Sequence, residues 1–133
     1  MLLTACFPGV SGLLYIQEVV MTEGKPVDVT DQDFDAVLNR ADMPVVLEFW
    51  SPDCVHCQRM ANTMEALAEE YTGEIIVAKV NVLENPLAPA KFGVSGIPAF
   101  FYIRGGRILS KTTGAMPKGK LKEQLGLSVI GNA

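Results

Sequence analysis

Apolar positions change their spacing along the chain, and the changes indicate alternating strands and helices. A near-continuous apolar run over 45–50 is typical of a strand buried on both faces. Between 54 and 71, Met60, Met64 and Leu67 recur at the helical period of 3.6 residues. The pattern therefore predicts a buried strand followed directly by a long amphipathic helix.

The same signals define the remaining elements. In chain order we expect strands or helices over 27–29, 31–39, 45–50, 54–71, 75–82, 86–92, 99–103, 108–113 and from 117 onward. Helices between the central strands imply parallel pairing, and Gly105-Gly106 between two β-prone runs predicts a hairpin that adds antiparallel edges to the sheet. The order β-α-β-α-β-α-β-β-α predicts an α/β fold with a central mixed β-sheet flanked by helices.

The first twenty residues are expected to lie outside the folded domain. They hold one charge, Glu18, and no Lys or Arg, so they lack the basic region that opens a secretory signal. The codons for 17–19 can spell a bacterial ribosome-binding sequence at suitable spacing before Met21. We therefore expect 1–20 to be a leader from a misassigned start, untranslated in the cell, and 21–133 to be the domain.

A second interpretation of this segment is export. Leu3-Thr4-Ala5-Cys6 is similar to a lipoprotein cleavage box, although only five residues precede Cys6. The leader hypothesis predicts a cytoplasmic protein, whereas lipidation at Cys6 would make it an exported one. N-terminal mass analysis of the native protein distinguishes the two, because the leader hypothesis requires a terminus at Met21.

Length and charge exclude several classes of protein. A chain of 133 residues is long enough for one domain with a sizeable core, and we expect it to be a monomer. It has 15 acidic residues against 11 Lys and Arg, giving a net charge of −4. Nucleic-acid-binding domains carry a basic face, so no nucleic-acid partner is expected.

Two of the three cysteines form the motif Cys54-Val55-His56-Cys57 where the strand passes into the helix. Cys54 should lie at the helix N-terminus, whose free N–H groups and dipole favour a thiolate. One helical turn brings the two sulfurs close enough to form a disulfide. The alternatives are two buried thiols or half a zinc site, but His56 is the only histidine and no metal is expected.

The motif and its surroundings resemble the thioredoxin family. The segment 50–57 is similar to that family's W-x-x-x-C-x-x-C, and 94–98 to its V-x-G-I-P. Ala78-Lys79-Val80-Asn81 resembles its A-K-V-N strand, and 104–106 with 114–115 resemble its late turn and last strand. The resemblance extends from Val27 to Leu127. It implies the thioredoxin fold and a thiol–disulfide oxidoreductase.

The resemblance also implies a role for each site residue. Cys54 would be the nucleophile that attacks a substrate disulfide, and Cys57 the resolving cysteine. Substrate would bind along Gly96, Ile97, Pro98 and Gly114, with the Ile97–Pro98 bond cis and the Ile97 backbone free to pair. Trp50 would shield the disulfide from water, although it can equally be interpreted as an aromatic residue of the core.

Glu48 and Lys79 are charged residues within apolar strands. Thioredoxins usually have Asp at the position of Glu48, where it shuttles protons to the buried cysteine, and protein disulfide isomerase domains have Glu. A carboxyl desolvated beneath the cysteines should have a raised pKa, and Lys79 would pair with it and moderate the shift. The alternative is that both are ordinary charges at strand ends.

The residues around Cys54 leave the direction of the reaction open. A histidine before the second cysteine, here His56, is typical of disulfide isomerases and oxidases. Its positive charge would stabilise the Cys54 thiolate and make the disulfide more oxidising, whereas the negative charge of Asp53 would make it less oxidising. The leading hypothesis is reduction of protein disulfides in the cytoplasm, without a cofactor, by electrons from a separate reductase. An exported oxidase or isomerase and a redox-regulated binding module are the alternatives.

Overall fold

The structure is a computed structural model, and it describes residues 24–39 and 43–127. The predictions made for 1–20, including lipidation at Cys6, lie outside the described residues. The boundaries proposed for the domain, 21 and 133, also lie outside them.

Nine elements follow one another in the predicted order. They are β1 (Val27–Asp28), α1 (Phe34–Leu38), β2 (Val45–Trp50), α2 (Val55–Glu70), β3 (Ile76–Asn81), α3 (Leu87–Phe92), β4 (Ala99–Arg104), β5 (Arg107–Thr113) and α4 (Lys118–Leu125). The mixed sheet with flanking helices that the sequence predicts is confirmed. Gly105 and Gly106 form the hairpin turn with φ of 58° and 80°, which the tightest hairpin connections require.

The five strands are ordered β1-β3-β2-β4-β5. β1, β3 and β2 are parallel, whereas β4 is antiparallel to β2 and β5 to β4. The parallel central strands and the antiparallel hairpin that the sequence predicts are both present, although β4 lies inside the sheet beside β2 and only β5 is at the edge. The chain that includes α3 leaves β3 and enters β4 at the same end of the sheet.

Each face of the sheet is covered by two helices. Alternate residues of β2 point to opposite faces, so Val45, Leu47 and Phe49 join one cluster and Val46 joins the other. The first cluster contains residues of α1 and α3, and the second contains residues of α2 and α4. The sheet is therefore a rigid platform that fixes where its strand ends lie.

The first helix begins later than predicted. Regular helix starts at Phe34, because residues 31–33 form a turn. The Thr30 N–H donates to Asp33 Oδ1 at 2.7 Å, and the Asp33 N–H donates to Thr30 Oγ1 at 3.4 Å. These reciprocal bonds have the pattern of a capping box, but they close a turn that is not α-helical, and the N-cap residue of α1 is Asp33.

Candidate functional site

Cys54 is the N-cap residue of α2, directly beyond the loop that follows β2. Its backbone is extended, with φ −92° and ψ 112°, and its sulfur accepts the Cys57 N–H at 3.1 Å. The two cysteines form a disulfide with their Cα atoms 5.2 Å apart. Cys54 is half-buried and Cys57 is buried, so the two sulfurs differ in their access to solvent.

This position gives Cys54 the environment of a stabilised thiolate. A helix N-terminus has free N–H groups and the positive end of the helix dipole, and both favour a negative charge on a capping atom. The hydrogen bond from the Cys57 N–H to Cys54 Sγ is one such favourable contact. The arrangement can therefore hold a nucleophilic sulfur once the disulfide is opened.

The segment before β4 lies directly beside the disulfide. The carbonyl oxygen of Ile97 is 3.9 Å from Cys54 Sγ, and the Ile97–Pro98 peptide bond is cis. The Gly114 N–H donates to the Pro98 carbonyl oxygen at 2.8 Å. Gly96 is exposed, and a Cβ there would lie 3.7 Å from the Thr113 side chain. The structure thus brings four of the predicted binding residues, Gly96, Ile97, Pro98 and Gly114, to the side of Cys54.

Glu48 is buried within β2, with 1% of its surface exposed. It lies two residues from Val46 and so on the face that packs against α2. Neither carboxylate oxygen has a hydrogen-bond partner. Burial raises the pKa of Glu48 from 4.5 to about 7, and the positive charge of Lys79 opposes this rise. The carboxyl is thus poised to gain or lose a proton near neutral pH.

Lys79 does not contact Glu48 in the way that the sequence suggested. The two residues are directly opposite in the register of β2 and β3, but no hydrogen bond or ion pair joins them. Instead, Lys79 Nζ lies 4.5 Å from the centre of the Trp50 ring. The ammonium of a half-buried lysine extends towards solvent along its flexible stem, and here the face of Trp50 receives it. Lys79 therefore acts on Glu48 through its charge at a distance, and the two residues do not form the direct ion pair that the sequence suggested.

Trp50 is half-buried at the end of β2, and its indole nitrogen is buried without a hydrogen-bond partner. With Lys79 it borders a cavity of about 200 Å³ that Asn81 and Glu84 also line. The contact between Trp50 and Lys79 was not predicted. A period-two pattern reveals that both lie at strand positions, but only the register of β2 with β3 makes them neighbours.

Asp53 and His56 are both exposed on either side of Cys54. Among the residues that the structure describes, neither forms an ion pair. Their charges therefore lie near the disulfide and face solvent.

Two polar residues that the sequence analysis did not single out hold the site's loops. Both carboxylate oxygens of Asp31 accept backbone N–H groups of α3, from Leu87 at 3.1 Å and Ala88 at 2.8 Å. Asn81 Oδ1 accepts the Leu83 N–H at 3.0 Å. Asp31 lies three residues beyond β1 and Asn81 is the last residue of β3, so a polar residue near the end of a β-prone run was the available signal.

Residues 24–39 and 43–127 contain neither a candidate metal cluster nor a candidate membrane-spanning helix. Within these ranges no group of three or more His, Cys, Asp or Glu could hold a metal ion. No helix there is both long and apolar enough to span a membrane.

A disulfide at the N-terminus of the helix after β2, beside a cis-proline segment of a mixed sheet, defines the class of thioredoxin-like oxidoreductases. Residues 25–126 match the family model described as Thioredoxin. The chain is 38% identical to a thioredoxin of Haemophilus influenzae over 93 residues, which is 70% of this chain and 87% of that protein. It is 35% identical to thioredoxin 2 of Chlorobaculum tepidum (77% and 94% covered) and 38% identical to a thioredoxin of Rhodospirillum rubrum (76% and 97%). The chain belongs to the thioredoxin family.

Membership of this family, together with the Cys54–Cys57 disulfide, makes the protein a protein-disulfide oxidoreductase. It works by dithiol–disulfide exchange, and the redox group is the cysteine pair itself, since thioredoxins need no cofactor. Protein disulfides are the substrates of this family, and a reductase supplies its electrons. The exported oxidase or isomerase and the binding module are not favoured, because the relatives described above are thioredoxins.

Proposed function

We propose that the protein reduces disulfides of other proteins in the cytoplasm, with Cys54 as the nucleophile and Cys57 as the resolving cysteine. The single observation that carries this assignment is the N-cap position of Cys54, where its half-buried sulfur accepts the Cys57 N–H at 3.1 Å. Cys57 is buried and one helical turn further on, so it can reach Cys54 but is shielded from a large substrate.

The proposed reaction has two exchange steps. The Cys54 thiolate attacks one sulfur of the substrate disulfide, and the other substrate sulfur leaves as a thiolate that takes a proton from solvent. The Cys57 thiol then loses its proton and attacks Cys54 Sγ, which releases the second substrate sulfur as a thiol. The substrate gains two electrons and two protons, and the protein is left with its disulfide. A separate reductase returns the two electrons.

Glu48 is proposed to accept the proton from Cys57 in the second step. A general base works best when its pKa is near the working pH, and burial raises the pKa of Glu48 to about 7. Its position on the face beneath α2 supports this role, since Cys57 is on the first turn of that helix. Lys79 is proposed to moderate the rise in pKa through its positive charge.

The segment beside Cys54 is proposed to bind the substrate chain. Proline has no N–H, so Pro98 leaves the Ile97 backbone as the pairing group, 3.9 Å from Cys54 Sγ at its carbonyl oxygen. Gly96 and Gly114 present no side chains that would obstruct an extended substrate. Trp50 is proposed to cover the site from the β3 side, where it borders the cavity that it shares with Lys79.

His56 and Asp53 are proposed to tune the redox potential in opposite directions. A protonated imidazole favours the Cys54 thiolate and hence the reduced protein, whereas the Asp53 carboxylate disfavours that charge. We further propose that the protein acts as a monomer. A reductase needs a compartment in which thiols are kept reduced, and the cytoplasm is such a compartment.

Reduction of insulin disulfides, with a chemical dithiol as the electron source, tests this function. We expect the protein to accelerate reduction at catalytic concentration, and Cys54→Ser to abolish the acceleration. Glu74→Gln is the matched control, because Glu74 is exposed in the turn before β3, at the opposite end of the sheet. No acceleration by the wild type would contradict the proposal.

A further inference from the structure

Val55 and Leu83 are among the large apolar side chains exposed at the end of the sheet that carries Cys54. Val55 is 58% exposed and Leu83 is 60% exposed. β2 and β3 are parallel and remain paired to their last residues, Trp50 and Asn81. The first turn of α2, which carries Val55, and the loop after β3, which carries Leu83, therefore follow neighbouring strand ends on the same side of the molecule.

Leu83 is held in this exposed position by its backbone. Its N–H donates to Asn81 Oδ1 at 3.0 Å, and the preceding Val82 N–H donates to the Trp50 carbonyl oxygen at 2.9 Å. The N–H groups of Glu84 and Asn85 both donate to the Asn81 carbonyl oxygen, at 3.2 and 3.0 Å. An apolar side chain on an ordered loop loses little conformational freedom when a partner covers it, which favours binding.

An acidic residue accompanies each of these apolar residues. Asp53 precedes Cys54 and Val55, and Glu84 follows Leu83; both carboxylates are exposed. Among the described residues no Lys, Arg or His nitrogen lies within 4.0 Å of either carboxylate.

One cation lies on this side of Cys54. The Lys79 ammonium lies over the Trp50 ring, and Lys79 lines the same cavity as Glu84, whereas His56 and Arg59 are exposed on α2. Asp53 and Glu84 outnumber this one ammonium, so the side of Cys54 nearer β3 is apolar with an excess of negative charge.

We propose that Val55, Leu83, Asp53 and Glu84 form a docking rim for substrate proteins, and that this rim favours disulfides flanked by an apolar residue and by Lys or Arg. The inference rests on the proposed attack of Cys54 on protein disulfides. The apolar residue of the substrate covers Val55 or Leu83, and the cation approaches the two carboxylates. Such charges act over about 8–10 Å at physiological salt, which covers neighbouring strands of a sheet.

The far end of the sheet provides an internal comparison. Ile108 and Leu109 on the edge strand β5 are 48% and 51% exposed, but they lie beside the exposed cations Arg107 and Lys111. Cations on an edge strand oppose pairing with other chains. Ile108 and Leu109 thus lie next to cations, whereas Val55 and Leu83 each lie close in sequence to a carboxylate, and the second arrangement suits a basic substrate.

Three cyclic disulfide peptides test the rim. They share one sequence except for the two residues that flank a cysteine, which are Leu-Lys, Leu-Glu or Ser-Lys. At low ionic strength we expect wild-type kcat/KM for the Leu-Lys peptide to exceed that for the Leu-Glu peptide about fivefold to tenfold, since exposed charges at a rim have modest effects. At 1 M salt, where the screening length is about 3 Å, the ratio should approach one.

Variants assign the preference to the named residues. Glu84→Gln should lower the ratio of Leu-Lys to Leu-Glu about twofold to threefold, and Leu83→Ser should lower the ratio of Leu-Lys to Ser-Lys by a similar factor. Glu74→Gln and Leu109→Ser are the matched controls and should retain both wild-type ratios.

The outcomes separate this inference from the function on which it rests. If the wild type reduces none of the peptides, the proposed function fails. If it reduces all three equally, or prefers the Leu-Glu peptide, the rim is overturned while the proposed function stands. A loss of preference in the two controls as large as that in Glu84→Gln and Leu83→Ser would also overturn the rim.

Discussion

Glu48 is the residue whose surroundings conflict most with its chemistry. A buried carboxylate is normally stabilised by hydrogen bonds or a direct ion pair, and Glu48 has neither. The attraction of Lys79 reduces the penalty without removing it, so burial still raises the pKa of Glu48 to about 7. Unfavourable burial of an ionisable group is typical of residues that transfer protons, and is not typical of residues that stabilise the fold.

The raised pKa predicts how stability depends on pH. The unfolded chain loses this proton near pH 4.5 and the folded protein near pH 7, so between these values the folded state binds more protons and becomes less stable as pH rises. The loss should total about 3 kcal/mol and be complete above pH 7. Glu48→Gln should lack this contribution, which urea unfolding of the oxidised proteins at several pH values measures. Identical pH profiles for the two proteins would refute the assignment.

The two cysteines predict different trapped species. Cys57→Ser should accumulate a mixed disulfide between Cys54 and the substrate, because the resolving thiol is missing. Cys54→Ser should accumulate none, since Cys57 is buried behind the first turn of α2. Non-reducing gels and mass spectrometry after incubation with an oxidised protein substrate measure the two species. Equal trapping by both variants would show that either cysteine can attack first.

At the scale of elements, the N-terminus of α2 sets the charge around Cys54. His56→Pro should raise the Cys54 pKa and shift the reduction potential to more negative values, because it removes a cation that favours the thiolate. Proline is tolerated in the first turn of a helix, where N–H groups lack intrahelical partners. A shift on the order of 30 mV, measured by equilibration with glutathione at fixed pH, is expected. An unchanged or less negative potential would remove His56 from the proposed tuning.

Helix α3 is capped at its N-terminus by Asp31, a residue distant from it in the sequence. Its own N-cap residue, Pro86, has no side-chain bond, and Asp31 accepts the Leu87 and Ala88 N–H groups instead. Asp31→Ala should lower the free energy of unfolding by about 1–2 kcal/mol, as loss of a helix cap does. Asp35→Ala is the control, because it breaks only an exposed pair with Lys91 and should cost less than about 1 kcal/mol. Equal losses in urea unfolding would contradict the role of Asp31.

Local signals explain what could be predicted from the sequence. The order of elements, the hairpin at Gly105-Gly106 and the helix after Cys54 all depend on neighbouring residues. The position of β4 beside β2, the start of α1 and the contact of Lys79 with Trp50 depend on tertiary geometry. The spacing of apolar residues along the chain does not specify which strands are neighbours, or the register of β2 with β3. The roles of the site residues came from family resemblance, and they remain predictions until tested.

At the scale of the whole molecule, charge is unevenly distributed between the two ends of the sheet. Asp53 and Glu84 lie at the end with the disulfide, and Arg104 and Arg107 lie at the hairpin end. Such a separation orients an approaching charged partner before contact and raises the rate of productive encounters. The first turn of α2, which holds the redox disulfide, and the loop after β3 thus together present the surface on which substrates are proposed to dock.

The reduction potential of the Cys54–Cys57 pair tests the proposed reductase function most directly. Oxidised and reduced protein are equilibrated with glutathione buffers at pH 7, and the two forms are separated after acid quenching. The thioredoxin-type reductase proposed here predicts a potential near −270 mV, whereas a disulfide oxidase or isomerase would have one near −120 to −180 mV. A value in the second range would contradict the proposal that this protein reduces the disulfides of its substrates.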